Sequence, residues 1–449
     1  MRFSELDGTR VGVWGAGREA RSFAAQLARR LPAARIVAVA LDVEPAADVR
    51  ALLGAPDARL AVGAEVLPAL SACDAVVRSP GVSIHRPELR ALRERGVPVA
   101  TATGLWLDER GGRGVIGITG TKGKSTTSAL TAHLARAAGV PARLAGNIGV
   151  PALDLLDQPS GELAVVELSS YQIADLATAP QVAVVTNLFP EHIDWHGSDA
   201  TYRAEKLRLL GLPGVEVAVV DPRDRSIAGA VPAGLPTHPF GVSEGWHLTR
   251  EGVAHAGAPV AAFAELPLHG EHNALNLCAA LAALEAFAVA PPPLPGALAD
   301  FAALPHRLEV LAEHDGVTWV DDSISTTPES TLAALASFPD RALVLIGGGQ
   351  DRGQDYAALA RALAARGAAV IGVPTTGGRL VAAARTAGVP AERAVEASGM
   401  AEAVARARAL APRSGVVLLS PAAPSYDTYR NFEERGDHFR ALAQERRPA

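Results

Sequence analysis

The stretch Ile116-Gly-Ile-Thr-Gly-Thr-Lys-Gly-Lys-Ser-Thr-Thr127 constrains this chain more than any other. A short apolar run (Val115, Ile116, Ile118) leads into it, and an Ala- and Leu-rich segment from Ser128 to Ala138 follows. The glycines therefore fall in a turn between a strand and a helix. In such a turn backbone N–H groups converge on a phosphate and the helix N-terminus adds partial positive charge. Lys124 supplies a full charge and the Ser125 hydroxyl a magnesium ligand. Gly120, Thr121, Gly123, Lys124, Ser125 and Thr126 form the expected phosphate cradle. The spacing is tighter than the strict P-loop, because Ile118 stands where that pattern wants its first glycine.

Composition sharpens this reading. Of 42 Lys and Arg residues only three are lysine, namely Lys122, Lys124 and Lys206, and two of those lie in the loop. The chain uses Arg nearly wherever any cation serves, so the remaining lysines mark positions where a compact charge or a neutral amine is required. The same logic singles out Lys206. A lysine that has lost its proton can add carbon dioxide, giving a carbamate able to ligate a metal, whereas guanidinium stays protonated near neutral pH. Desolvation or a nearby cation favours that neutral amine. Glu167 ends the apolar run Glu162–Glu167, where a nucleotide-binding sheet puts a carboxylate for magnesium. His192, in the polar loop that follows the apolar run from Gln181 to Asn187, is a candidate second ligand through a neutral nitrogen; a structural histidine is the alternative.

At 449 residues the chain has room for about three domains. Strand and helix patterns alternate over residues 10–104. Arg10–Trp14 reads as a strand, Gly15-Ala-Gly17 as the turn into a helix from Arg21 to Arg30, and Arg35–Leu41 as a second strand ending at Asp42. Ser79-Pro-Gly81 closes another strand, at the kind of edge where open α/β sheets bind ligands. Residues 105–304 carry the glycine-rich loop and the candidate catalytic groups, including a helix opening at His272-Asn273-Ala-Leu-Asn276 and a short one from Gly296 to Leu304. Residues 305–449 form a third alternating unit. A net charge of −6 argues against a nucleic-acid partner. No apolar run approaches the roughly 20 residues that span a bilayer, and Met1-Arg-Phe-Ser-Glu lacks a secretory pattern. Cys73 and Cys278 sit in apolar contexts and read as buried thiols. A cytoplasmic, monomeric enzyme is the expectation.

Seven motifs occur in order: Ile118-Thr-Gly-Thr-Lys-Gly-Lys-Ser-Thr, Gly146-Asn147-Ile-Gly149, Glu167-Leu-Ser-Ser, Asn187-Leu-x-x-Glu-His192-Ile-Asp, Tyr202-Arg-x-x-Lys206, His272-Asn273-x-x-Asn276 and His306-Arg307-Leu. Together they resemble the Mur ligases, the ATP-dependent amide ligases of peptidoglycan precursor synthesis, and within them the glutamate-adding branch. The C-terminal Leu419-Ser-Pro-Ala-Ala-Pro-Ser425-x-Asp-x-Tyr-x-Asn-Phe432-x-x-Arg-Gly436 matches the same branch.

The resemblance implies three α/β domains: a Rossmann-like N-terminal domain at 1–104 for the UDP substrate, a central P-loop-type mononucleotide-binding ATPase domain at 105–304, and a Rossmann-like C-terminal domain at 305–449 for amino acid and nucleotide. It implies ATP and two magnesium sites, one on Ser125 and Glu167, the other on His192 and carbamylated Lys206. Lys124, Glu167, His192 and Lys206 would carry catalysis, and Asn273, Asn276, Arg307 and Asp322 would bind the nucleotide. Gly15, Gly17, Asp42, Ser79 and Gly81 would face the UDP group, and Asn147 the acyl substrate. Thr327, Arg352, Ser425 and Phe432 would border the incoming amino acid.

The implied reaction joins glutamate to UDP-N-acetylmuramoyl-L-alanine through an acyl phosphate, with D-glutamate first and L-glutamate as the alternative. That alternative stands because the branch's Asp-Ser-Lys reads Asp322-Ser323-Ile324 here, and its Gly-Gly-x-Asp-Lys-Gly reads Gly348-Gly-Gln-Asp-Arg352-Gly353. A regulatory ATPase without ligase chemistry is the alternative from another class.

Overall fold

A computed structural model describes all residues except 43–47, 160, 190–192, 268–269, 302–304, 315 and 446–449, and divides into two compact units, Met1–Phe301 and Ala302–Ala449. In the first unit, β1 (Arg10–Trp14), β2 (Arg35–Leu41), β3 (Arg59–Val62), β4 (Ala75–Arg78) and β5 (Val99–Ala100) make a parallel sheet in the order β3-β2-β1-β4-β5. The order reverses between β1 and β4, so the turns leaving those two strands open a crevice at their C-terminal ends.

The same unit holds a second parallel sheet. Its strands are β6 (Val115–Thr119), β7 (Ala142–Gly146), β8 (Leu163–Glu167), β9 (Val182–Val185), β10 (Val217–Val220) and β11 (Thr237–Pro239), ordered β11-β10-β9-β6-β8-β7. β6 is flanked by β8 and β9, and all five of its residues are buried, as expected of a strand covered on both faces. The helix Lys124–Ala137 and the helix Glu271–Ala286, apolar and buried from Leu277 to Leu284, pack over one face. A small antiparallel sheet, β12 (Trp246–Leu248), β13 (Gly252–His255) and β14 (Ala258–Ala262), adjoins Glu271–Ala286. Arg78, at the end of β4, is fully buried and forked onto Asp175 at 2.7 and 2.9 Å, which ties the first sheet to the segment after β8.

The second unit is one six-stranded sheet of β15 (Glu309–His314), β16 (Val317–Asp321), β17 (Leu343–Gly347), β18 (Ala369–Gly372), β19 (Ala394–Glu396) and β20 (Val416–Leu419), in the order β15-β16-β20-β17-β18-β19. Among the described residues of this sheet, only β15 runs antiparallel to its neighbour.

Most expected elements are present with ends shifted by one or a few residues. The N-terminal helix begins at Arg18 and the P-loop helix at Lys124, three and four residues before their apolar pattern starts. The helix expected from Gly296 to Leu304 is a correction: a single 3-10 turn spans Gly296–Leu298, and 302–304 lie outside the described residues. Cys73 and Cys278 are free and buried, and burial pushes their thiols up to about 11 and about 12.

Candidate active site

The glycine-rich loop leaves the C-terminal end of β6 and is laced to the end of β9. Thr121 N donates to Asn187 O at 2.9 Å, and Lys122 N donates to Asn187 Oδ1 at 2.8 Å. The Thr186 hydroxyl donates to Lys122 O at 2.7 Å. Gly120 and Gly123 have φ of +146° and +83°. A Cβ on Gly120 would lie 1.9 Å from Thr186 Oγ1, and one on Gly123 would lie 2.2 Å from Asn276 Oδ1. Both positions therefore need glycine for conformation and for space. The second contact also brings Asn276, and with it Asn273 (3.3 Å from Asn276 Nδ2 to Asn273 Oδ1), up against the loop. Lys124 folds back to donate to Gly120 O at 2.9 Å and Thr121 O at 2.8 Å, while Ser125 and Thr126 are buried in the first turn of the helix.

Lys206 reaches the same loop from the last turn of the helix Asp199–Leu207. It is 1 % exposed, and its Nζ donates to Gly120 O at 2.9 Å and Thr119 Oγ1 at 3.4 Å, 5.1 Å from the Tyr202 ring centroid. The Tyr202 hydroxyl in turn meets Thr121 Oγ1 at 2.7 Å. Lys206 is therefore a buried side chain with its Nζ over an aromatic ring, not a solvated one.

Glu167 ends β8 beside the loop and is 1 % exposed. Its Oε1 accepts from Asn147 Nδ2 at 2.7 Å, and its Oε2 is buried without a hydrogen-bond partner among the described residues. An orphaned carboxylate oxygen at a strand end next to a phosphate cradle is the donor a magnesium ion takes. The residues present therefore fit the expected metal. His192 lies outside the described residues. His196, in the same segment, is buried between Glu205 at Nδ1 and Ser170 Oγ (2.9 Å) at Nε2, and Glu205 also meets His85 Nε2 at 2.9 Å.

In the first sheet, Gly15 and Ser79 face each other across the switch point, where a Cβ on Gly15 would lie 2.5 Å from Ser79 Oγ. Gly17 caps the helix Arg18–Arg30. Gly81 O accepts from Trp195 Nε1 at 3.1 Å. Asp42 accepts from Trp14 Nε1 at 3.2 Å and pairs with Arg86. Beside this turn, burial pushes the Glu19 carboxyl above its ordinary range while Gln172 and Thr103 donate to it.

The second unit holds the remaining candidates. Asp322 accepts from Ser420 Oγ at 2.8 Å and Leu308 N at 3.3 Å, and full burial pushes its carboxyl up to about 6. Arg307 adjoins that segment, its charge acting on Asp322. Thr327 caps the helix Pro328–Ala336. The Phe432 carbonyl accepts from Ser323 Oγ at 2.8 Å, and Ser425 is buried in the turn before it. Arg352 is exposed, with its N–H donating to Gln354 Oε1 at 3.0 Å. A cavity of about 60 Å³ opens between Gly348, Val373, Gly399, Tyr429 and Arg435. The structure thus gathers Lys124, Ser125, Asn147, Glu167, Lys206, Asn273 and Asn276 around one loop. Motif reading passed over Thr186, Arg18 and Glu19, whose only signal was proximity to other motifs.

Residues 118–284 match the Mur ligase middle domain and residues 306–423 the glutamate ligase domain of Mur ligases. The chain is 44 % identical over 457 residues to the UDP-N-acetylmuramoyl-L-alanine–L-glutamate ligase of a Micromonospora species, covering 98 % of this chain and 97 % of that one. It is 41 % identical over 461 residues to the protein of the same name from Xanthomonas axonopodis pv. citri, covering 99 % and 97 %. Among solved structures, the UDP-N-acetylmuramate-alanine ligase of Thermotoga maritima shares the fold at a TM-score of 0.60 and 17 % identity, over 97 % of this chain and 99 % of that one. The MurF ligase of the same organism, in complex with ADP, does so at 0.59 and 15 %, over 98 % and 96 %. With near-complete coverage at this identity, and with its cradle, strand-end carboxylate and buried lysine in one place, the chain is a member of the Mur ligase family, an ATP-dependent ligase.

Proposed function

We propose that this ligase joins L-glutamate to UDP-N-acetylmuramoyl-L-alanine at the expense of ATP. The observation that carries the reading is the convergence at Gly120, where the buried Lys206 amine and Lys124 both donate to one loop carbonyl, while the orphaned Glu167 oxygen lies at the end of the neighbouring strand, opposite Ile118. The relatives quoted, alike over nearly their full length, are named for that substrate pair. Residues 1–104 would take the UDP group, 105–304 would hold ATP, and 305–449 would seat the amino acid. The protein would act as a cytoplasmic monomer.

Ser125 and Glu167 would hold one magnesium ion, and His192 with carbamylated Lys206 a second; when bound, such ions would offset the charge between two approaching anions. The loop N–H groups and Lys124 orient the triphosphate so that the alanyl carboxylate oxygen attacks the γ-phosphorus and ADP departs. The glutamate amine then adds to the acyl carbon and phosphate leaves, which balances one amide formed against one phosphoanhydride broken.

Two substitutions bear on stereochemistry. Ile324 replaces the lysine expected in Asp-Ser-Lys and Arg352 replaces that of Gly-Gly-x-Asp-Lys-Gly, both in the region expected to receive the glutamate carboxylates. A pocket with one cation deleted and another turned into a bidentate fork presents a different arrangement to the two enantiomers. A changed pocket does not by itself say which enantiomer it takes; the names of the relatives favour L- over D-glutamate. The test is to supply UDP-N-acetylmuramoyl-L-alanine and ATP with each enantiomer separately and follow phosphate release. Release with L-glutamate alone is expected; release with D-glutamate alone overturns the assignment.

A further inference from the structure

The turn that opens the helix Arg18–Arg30 reaches out of its own sheet and grips the second one. The Arg18 guanidinium donates to three backbone carbonyls of a single turn: Gly146 O at 2.8 Å, Asn147 O at 2.8 Å and Gly149 O at 3.0 Å. Its neighbour Glu19 accepts from Gln172 Nε2 at 2.6 Å. The Gln172 Oε1 accepts from Ser169 N and Oγ at 2.8 and 2.9 Å, so Glu19 tethers the loop that follows β8. Two adjacent residues thus hold the loops leaving β7 and β8, and Glu167 lies between those loops.

The turn 146–149 needs such an anchor. β7 is the edge strand of its sheet, and Asn147 is exposed. Yet Asn147 is what aims Glu167: its N–H donates to Glu167 O at 2.9 Å and its side-chain amide to Oε1 at 2.7 Å, which leaves Oε2 directed elsewhere. A planar fork with five donors can satisfy three carbonyls at once, which an ammonium on a flexible stem cannot do with the same fixed geometry.

We propose that Arg18, with Glu19 behind it, is a positioning residue that acts through Asn147 to aim the Glu167 carboxylate, so that the turn expected to seat the UDP group and the carboxylate expected to hold the cation move as one piece. This rests on the reading of Glu167 as a cation ligand given under Proposed function.

The test measures Mn2+ binding by electron paramagnetic resonance of the free ion, in the presence of a non-hydrolysable ATP analogue. It compares the full-length wild type with Arg18→Lys, Arg18→Ala, Asn147→Ala and Arg18→Ala/Asn147→Ala. Loss of an outer-shell partner weakens metal binding by roughly 10–100-fold, and that is expected for both Arg18 variants. The double variant should bind no more weakly than the worse single variant, because the two residues act in series. Arg18→Lys keeps the charge and serves as the folded variant if Arg18→Ala does not fold, with folding checked by thermal melting. Mn2+ affinity within twofold of wild type in a folded Arg18→Lys protein, or full additivity in the cycle, overturns the proposal. Absence of phosphate release by the wild type with either glutamate enantiomer removes the substrate assignment instead, and a weakened Mn2+ site in the variants still supports the role of Arg18.

Discussion

Replacing Gly120 by alanine tests the geometry of the cradle most directly, because the structure sets the size of the effect. The added Cβ would lie 1.9 Å from Thr186 Oγ1, 3.1 Å from Thr186 Cβ and 3.2 Å from Asn187 N. A van der Waals contact wants about 3.5 Å, so something must yield by roughly 1.5 Å. The Thr186 hydroxyl cannot simply rotate away, since it donates to Lys122 O at 2.7 Å and lies 3.3 Å from Thr119 O. Three costs follow: about 1–2 kcal/mol for alanine at a φ of +146°, about 1–3 kcal/mol for overpacking and about 1 kcal/mol for the disturbed hydrogen bond. Their sum is about 4 kcal/mol. For a unit of this size that lowers the melting temperature by on the order of 10 °C. The displaced loop should also cost at least about 100-fold in phosphate release, since misplacement by about 1 Å has that effect. Differential scanning calorimetry and the release assay measure both. Adding Thr186→Ala removes the clashing oxygen but not the φ strain, so the double variant should regain about half of the lost stability. A Gly120→Ala protein within about 0.5 kcal/mol of wild type, or a double variant as unstable as the two singles added, would refute this account of the loop.

Two further predictions concern buried titratable groups. Lys206→Ala should abolish nearly all ligase activity and regain part of it when acetate or another short carboxylate is added, whereas Lys206→Arg should stay inactive; absence of rescue at every concentration would exclude a carbamate at this position. Asp322, whose carboxyl burial pushes up from its ordinary value of 3.8 to about 6, binds its proton more tightly folded than unfolded. Its contribution to stability is therefore fully present below pH 3.8 and declines as pH rises through about 6, by about 3 kcal/mol in all. Asp322→Asn should remove that decline, so urea midpoints of variant and wild type should diverge in the variant's favour between pH 4.5 and 7. An unchanged difference across that range would contradict the buried charge.

Several strands and helices were legible to their end residues. Arg10–Trp14, Arg35–Leu41 and Val416–Leu419 have the bounds their apolar runs suggest, as do the helices Met400–Leu410 and Phe432–Gln444. Edge and half-exposed elements were not: β3, β5, β7, β11, β15, β19 and the small sheet of β12 to β14 carry short mixed patterns that do not stand out from loop, and the apolar, interior β10 was passed over as well. The helix Lys124–Ala137 begins before its apolar pattern because Lys-Ser-Thr-Thr has no strong helical preference of its own. At the site, chemistry that needs one residue type was readable, as with the glycines, Lys124, Glu167 and Lys206. Arg18 was not, since in a chain that spends Arg almost everywhere its identity carries no signal.

By itself the order of residues determined the phosphate cradle, the carboxylate at a strand end and the lysine that arginine does not replace, because each is a local pattern with its own chemical requirement. Only the tertiary structure decided that Lys206 meets the loop at Gly120, that Glu167 stands opposite Ile118 at the loop's base, that Asn276 closes against Gly123, and that Arg18 fastens a turn of the neighbouring sheet. Those relations join residues tens to more than a hundred positions apart, and they arise from how parallel strands are ordered and packed rather than from any periodicity along the chain.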